Sequence, residues 1–155
     1  MITIEEFKKK QLNTSRLIGL DLGSKRIGVA ICDENQKIAT PLKTINKSKF
    51  EDLINELEDI IKENNIKGII IGNPINMEGS LGKSSQSVND VSKAISKEID
   101  LPISLWDERL STVGAFKLTK NLGINVTKIE KNIDKNAAAF ILQGAIDFIK
   151  NYYLH

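Results

Sequence analysis

Four acidic side chains stand where the predicted strands and helices begin or end, and carboxylates in such positions can support hydrolysis. Asp21 follows the run RLIGL, Asp107 and Glu108 follow LPISLW, and Asp134 opens DKNAAAFILQ. Carboxylate oxygens are hard ligands, which suit Mg²⁺ or Mn²⁺ better than zinc. Two such ions can activate water and stabilise the leaving oxygen of a phosphodiester. The acids therefore indicate metal-dependent phosphodiester hydrolysis.

Each acidic position also has a structural interpretation that involves no chemistry. Asp21 can accept backbone N–H groups of the turn that follows it. Asp107 or Glu108 can pair with Arg109 and cap the next helix. Asp134 can be an N-cap carboxylate, since the helix dipole favours negative charge there. Taken one at a time, the residues leave both interpretations open.

Four basic side chains are candidates for substrate binding. Lys25 and Arg26 lie beside the first predicted turn, Arg109 follows the Asp-Glu pair, and Lys83 precedes a predicted helix over 84–98. Basic side chains and helix N-termini both bind phosphate oxygens. The glycine-rich loop before that helix does not fit the phosphate-loop pattern, because Met77 stands where the pattern requires glycine.

Length and composition indicate one cytoplasmic domain. The chain has 155 residues, 41% hydrophobic and 27% charged, and no apolar run long enough for a membrane span. We expect a single domain over residues 16–155, preceded by an N-terminal extension over residues 1–15 that contains a short helix. Cys32 and His155 are the only residues of their types. That inventory excludes disulfides within the chain, serine-hydrolase triads and His/Cys zinc sites.

Hydrophobic periodicity predicts a mixed α/β layout. Residues 16–33 form a hairpin turning at Gly23-Ser24, and a third strand over 36–45 lies at an edge because it contains Pro41. The other predicted elements are a helix capped by Thr3-x-x-Glu6, a helix capped by Ser48-x-x-Glu51 and ended by Asn64-Asn65, strands over 66–74 and 101–107, helices over 84–98, 112–120 and 133–150, and a loop over 121–132.

Four segments resemble the signature blocks of the YqgF family, also called RuvX-like. They are DLGSKRIGVAICD, GNPINMEGSLGKSSQSV, LWDERLST and DKNAAAFILQ, and they run in family order. That family is described both as Holliday junction resolvases and as nucleases that mature the small-subunit ribosomal RNA precursor. The resemblance implies a ribonuclease-H-like fold of the α/β class, in which a mixed five-stranded sheet in the order 3-2-1-4-5 carries helices on both faces.

The resemblance also implies a divalent-metal-dependent endonuclease and assigns its ligands. Asp21 matches the metal ligand of the first strand, Glu108 the acid of the DER block, with Asp107 as the less favoured alternative, and Asp134 the aspartate of the C-terminal helix. Many ribonuclease-H-like nucleases also carry an acid at the end of the fourth strand. Here the segment is Gly72-Asn73-Pro74, so the second ligand must come from the DER block.

The expected substrate is precursor 16S rRNA, with branched DNA as the alternative, and the ribosome is a candidate partner. We expect no membrane association and either a monomer or a homodimer. Two other classes compete with a nuclease. An ATP-binding fold of the actin and sugar-kinase type also begins with a strand-turn-strand motif, but it needs two like domains. A non-catalytic ribosome- or transcription-associated nucleic-acid-binding module would keep the fold without the chemistry.

Overall fold

A five-stranded mixed sheet forms the centre of the computed structural model, which describes residues 1–10, 12, 14–46, 48–75, 79, 82–110 and 136–151. The strands are β1 (Arg16–Leu22), β2 (Arg26–Cys32), β3 (Ala39–Asn46), β4 (Ile66–Asn73) and β5 (Ile103–Asp107). Their order across the sheet is β3-β2-β1-β4-β5. The first three form an antiparallel meander, and β1, β4 and β5 run parallel. The expected strand order is confirmed.

Four helices surround the sheet within the described ranges. They are α1 (Ile4–Lys9), α2 (Phe50–Asn64), α3 (Lys83–Glu98) and α4 (Ala137–Asn151), and one 3₁₀ turn, Glu108–Leu110, follows β5. None of the helices in these ranges is long and apolar enough to cross a membrane.

Two apolar layers lie on opposite faces of the sheet. One layer joins Leu17, Ala30, Ile70 and Trp106 of the strands to α4 and to Phe7 of α1. The other joins the intervening strand residues to α2 and α3. Strand side chains alternate between the faces, so neighbouring residues at the end of one strand enter different environments.

The N-terminal helix is anchored on the α4 side of the sheet. Thr3 and Glu6 form the expected capping box. Phe7 is buried, and it packs so closely on Gly68 that a Cβ atom there would lie 2.5 Å from its Cζ. Ile2 adds a single parallel bridge to Ser104 of β5. Extension residues thus take part in the same core as the sheet.

The predicted capping box at the start of α2 is wrong. Lys49 is the N-cap, and no side chain makes a capping hydrogen bond there. Ser48 lies one residue too early, and its hydroxyl instead approaches the Asp52 carboxylate at 3.5 Å. The end of α2 agrees with prediction, because Asn65 adopts the left-handed conformation that terminates a helix.

Cys32 is buried as a free thiol, as expected. Its sulfur accepts a hydrogen bond from the Leu17 backbone N–H at 3.2 Å, and burial raises the pKa of the thiol. A thiol whose pKa is raised forms little of the reactive thiolate, so Cys32 is a core residue. The predicted helix over 112–120, the predicted loop over 121–132 and Asp134 lie outside the described residues.

Candidate active site

The candidate site lies at the edge of the sheet where β1, β4 and β5 end. Because these strands are parallel, their C-terminal residues meet at one edge, where open α/β sheets bind ligands. Alternation gives that edge two sides. We call the side covered by α4 the carboxylate face, defined by Asp21, Gly28, Gly72 and Glu108. The side covered by α2 and α3 is the paired face, defined by Asn73, Ser85, Asp107 and Arg109.

Asp21 lies on the carboxylate face next to the start of α4. Its strand partner in β2 is Gly28. A Cβ atom added to Gly28 would lie 3.6 Å from the Asp21 Cβ and 3.4 Å from the Ala138 Cβ. Glycine at this position therefore leaves open space between the aspartate and the helix.

Glu108 lies on the same face, across the end of β4. It begins the 3₁₀ turn after β5, and only 2% of its surface is exposed. A Cβ atom on Gly72 would lie 3.3 Å from the Glu108 carboxyl carbon and 2.5 Å from Ile141 Cδ1 of α4. Glycine at position 72 is thus what allows both the carboxyl group and the helix to approach the strand.

The sheet register places the Glu108 carboxyl group over β4, the strand that neighbours Asp21. Leu20 pairs with Ile71 in the parallel β1–β4 ladder, so Asp21 and Gly72 come one residue later on the two strands. Adjacent strands lie about 4.8 Å apart. The carboxyl group of Glu108 packs on Gly72 of β4, and β4 is the neighbour of β1, which carries Asp21.

Asp107 lies on the paired face and is held by Arg109. The Arg109 Nη2 lies 2.7 Å from Asp107 Oδ2, its Nε lies 3.0 Å from Oδ1, and its backbone N–H donates to Oδ1 at 3.0 Å. The side-chain hydrogen bond from Arg109 holds the pKa of Asp107 below its ordinary value. The structural interpretation of a pair with Arg109 thus applies to Asp107.

Asn73 and Ser85 fix α3 to the end of β4. The Ser85 hydroxyl donates to Asn73 Oδ1 at 2.7 Å, and both side chains are buried. Asn73 also pairs with Asp107 in the β4–β5 ladder. The hydrogen bond therefore ties the first turn of α3, which begins at Lys83, to the same edge.

Lys25 and Arg26 are exposed beside the hairpin turn. The turn is closed through the backbone, with the Gly23 N–H donating to the Arg26 carbonyl at 2.9 Å. A Cβ atom on Gly23 would lie 2.6 Å from that carbonyl oxygen, so the turn requires glycine. Both cations follow Asp21 closely in the chain and face solvent, where a phosphate group can reach them.

The structure places Asp21 and the Glu108 carboxyl group over neighbouring strands on one face of the sheet edge, and the third predicted ligand, Asp134, lies outside the described residues. In the sequence, Asp134 stands four positions before Ala138, the residue that packs against Gly28. Among residues that the structure describes, no group of three or more His, Cys, Asp and Glu side chains is arranged to hold a metal ion. A three-acid set therefore needs a residue outside the described ranges, and Asp134 is the one that the family resemblance predicts.

Sequence reasoning did not identify the role of Gly72 or the Asn73–Ser85 hydrogen bond. Gly72 looked like the end of a strand, and only its contact with Glu108 shows what the missing side chain permits. A glycine in an otherwise apolar strand is the available signal, because it often marks a close approach. No sequence pattern pairs Asn73 with Ser85.

Comparison with known proteins places the chain among nucleases. The family described as "RuvX: Holliday junction resolvase" matches residues 15–148. A Pelagibacter ubique (strain HTCC1062) protein named "Putative pre-16S rRNA nuclease" is 70% identical over 151 residues, which cover 97% of this chain and all of that protein. A Ruegeria pomeroyi protein of the same name is 42% identical and covers 96% of this chain and 97% of its own length.

A solved structure shares the fold. Thermus thermophilus RuvC in complex with a Holliday junction substrate superposes with a TM-score of 0.53 at 11% identity, over 88% of this chain and 95% of that chain. A second Thermus thermophilus RuvC structure gives a TM-score of 0.50. At this low identity the superposition informs only about the fold, and it confirms the ribonuclease-H-like class.

Proposed function

The chain belongs to the RuvX family and is a nuclease, and we propose that it cuts precursor 16S rRNA with Mg²⁺ or Mn²⁺ held by Asp21, Glu108 and Asp134. The observation that carries this proposal is the placement of Asp21 and Glu108 on one face of the sheet edge, over two glycines. The names of the relatives support the substrate.

The residues present fit a hard divalent cation. Gly28 leaves space beside Asp21 that a Cβ atom would fill, Gly72 lets the Glu108 carboxyl group approach β4, and both acids offer carboxylate oxygens. Asp21 and Glu108 would hold the cation together with Asp134, the ligand that the family resemblance supplies. When bound, two such ions would activate a water and stabilise the leaving oxygen of the phosphodiester.

The chain's own residues would hold and orient the nucleic acid. Lys25 and Arg26 project from the turn that follows Asp21, so we assign them to phosphates beside the cleaved bond. Lys83 at the start of α3 is a third phosphate contact, fixed in place by the Ser85–Asn73 hydrogen bond. Arg109 remains a candidate for contacting a phosphate, although its charge is already balanced by its ion pair with Asp107.

Glu108, rather than Asp107, is our proposed ligand of the DER block. Glu108 shares the carboxylate face with Asp21, whereas Asp107 lies on the paired face against Arg109. Moving Asp107 to the metal would break several hydrogen bonds with a guanidinium group, which are among the strongest a carboxylate makes.

Cleavage of precursor 16S rRNA by the purified chain tests the proposal. We expect cleavage with Mg²⁺ or Mn²⁺, none with EDTA, and loss of at least about a hundredfold in rate in Asp21→Asn. Circular dichroism of the variant checks that the fold persists. Equal cleavage by wild type and Asp21→Asn would contradict the nuclease site.

Branched DNA is the second candidate substrate, because the matching family carries the description Holliday junction resolvase. A four-way DNA junction assayed beside the RNA decides between them. Binding of either nucleic acid, without cleavage in the presence of any metal, would favour the non-catalytic module.

Oligomeric state and localisation need separate measurements. Sedimentation of the active species distinguishes a monomer from a homodimer, and localisation of the tagged protein tests the proposed cytoplasmic site of action.

A further inference from the structure

A cleft of about 490 Å³ opens on the α2 and α3 side of the sheet. Its walls are mostly apolar and come from both helices and from the strand ends. The lining side chains are Leu22, Ile27, Ile45, Phe50, Leu53, Val88 and Val91, with Ser24, Asn46, Ser48, Lys83, Ser84 and Ser87 at more polar positions. This size and composition are typical of sites for small organic groups.

The charge of the cleft favours an anionic ligand. None of the described residues that line it is acidic, and Lys83 is among them. Lys25, exposed in the hairpin turn, follows the lining residue Ser24. Glu51 and Asp52 of the first turn of α2 are exposed and are not part of the described lining. The Asp52 carboxylate lies 3.5 Å from the hydroxyl of the lining residue Ser48, so the end of the cleft that favours an anion is the one at Lys83. An apolar wall with cations nearby suits a flat apolar group attached to a phosphate.

Phe50 gives the cleft an aromatic surface. It opens α2 and remains 40% exposed, although it belongs to the amphipathic pattern of that helix. Exposed aromatic rings on nucleic-acid-binding proteins stack with unpaired bases, and such stacking tolerates any base. The ring is available to a ligand because the core of α2 packs through other side chains, such as Leu53 and Leu57.

The cleft adjoins the proposed catalytic edge. Leu22 lines it, and Asp21 is the preceding residue on the same strand, pointing to the opposite face. The turn residues Gly23 and Ser24 complete the boundary between the two. A nucleic acid strand that crosses this turn would therefore run from the carboxylate face to the cleft.

We propose that this cleft binds one unpaired nucleobase of the substrate strand, stacked on Phe50 with its phosphate toward Lys83. The inference rests on the proposed nuclease function and deepens it, because it makes a single-stranded nucleotide next to the cleaved bond part of what is recognised. A fully base-paired duplex would lack that contact.

Plugging the mouth of the cleft tests the proposal with a matched control. Ser87 lines the cleft and Gln86 does not, yet both are exposed on adjacent positions of α3. In an Asp21→Asn background without divalent metal, we expect Ser87→Trp to weaken binding of a short single-stranded oligoribonucleotide about tenfold by fluorescence anisotropy. Gln86→Trp should bind like its parent. Equal affinity of both tryptophan variants would overturn the inference.

A second pair of variants tests the aromatic contact. Phe50→Ala should lose about tenfold in affinity, whereas Phe140→Ala, at a 37% exposed phenylalanine of α4, should lose none. An oligoribonucleotide carrying one 5-iodouracil should photo-crosslink to Phe50. Crosslinks to other residues would overturn the proposal. A change in oligomeric mass of Ser87→Trp without RNA would indicate that a second copy of the chain occupies the cleft, and it would also overturn the proposal.

These measurements separate the two proposals. Binding is measured without metal in a cleavage-deficient variant, so it does not depend on the nuclease reaction. Cleft variants that bind normally, in a protein whose wild type cuts RNA, would refute the cleft and leave the nuclease. A wild type that does not cut, with RNA still bound at Phe50, would refute only the nuclease.

Discussion

The two faces of the sheet edge carry similar acidic and polar residues, but the surroundings of these side chains differ. On the carboxylate face, Asp21 lies beside Gly28 and near Ala138 of α4, and the Glu108 carboxyl group lies over Gly72 near Ile141. On the paired face, Asp107 is held by Arg109, and Asn73 accepts a hydrogen bond from Ser85. Asp107 and Glu108 are consecutive in the chain, yet they belong to different faces.

This difference shows how a strand end can divide two roles between adjacent acids. An acid whose charge is already balanced by a guanidinium group stabilises the edge. An acid on the same face as a second carboxylate adds to the local negative potential, which favours a cation. Exchanging the two roles should therefore be costly, which makes the contrast testable.

The largest expected effect compares Glu108→Gln with Asp107→Asn. We expect Glu108→Gln to reduce the rate of RNA cleavage about a hundredfold or more, because it removes a proposed metal ligand. Asp107→Asn should reduce the rate less than tenfold, since its partner is Arg109. Single-turnover cleavage at saturating Mg²⁺ measures both. A larger loss in Asp107→Asn would reverse our assignment of the two faces.

Gly72→Ala should affect both stability and cleavage. The new Cβ would lie 2.5 Å from Ile141 Cδ1 and 3.3 Å from the Glu108 carboxyl carbon. We expect a loss of about 1–3 kcal/mol in the free energy of unfolding, typical of overpacking, and slower cleavage by the folded fraction. Urea denaturation and initial rates give the two quantities.

Gly68→Ala is the matched control for Gly72→Ala. Gly68 lies on the same strand and face, and a Cβ there would lie 2.5 Å from Phe7 Cζ, far from the acids. It should lose a similar amount of stability while the folded protein cuts RNA at the wild-type rate. If both variants lose cleavage equally, the effect of Gly72 is general strain and does not concern Glu108.

Ser85→Ala should cost about 1–3 kcal/mol of unfolding free energy, because it leaves the buried Asn73 carbonyl without this donor. Ser84→Ala, at the exposed neighbouring position, should cost little. We also expect weaker RNA binding in Ser85→Ala, since Lys83 loses its fixed position at the start of α3. Denaturation curves of the two variants and anisotropy with RNA check this, and equal stability would contradict it.

The smallest expected effect is on how the free energy of unfolding changes with pH in acid. The pKa of Asp107 is lower in the folded protein than its ordinary value of about 3.9, so its ion pair contributes stability above that pH. That contribution is lost as the pH falls through the lowered pKa. Asp107→Asn should therefore make unfolding less dependent on pH below about 4. Unchanged acid sensitivity in the variant would contradict this role.

Much of the fold could be predicted from local sequence. Alternating and continuous apolar runs identified all five strands, and the buried stripe of α4, including Ala138 and Ile141, followed from helical spacing. The Ser48 capping box was wrong by one residue, because the helix begins at Phe50 with Lys49 as its N-cap and local pattern does not fix a helix end to a single residue.

The sequence by itself determined which residue types were available for chemistry: several acids at strand ends, no suitable histidine or cysteine, and family blocks in order. It also placed Asp107 and Glu108 on opposite faces, because strand side chains alternate. Only the tertiary structure decided which acid shares the face of Asp21 near Gly72 and which pairs with Arg109. That choice depends on the room that Gly72 leaves beneath α4 and on the register of β4 with β1 and β5, which are contacts between segments far apart in the chain.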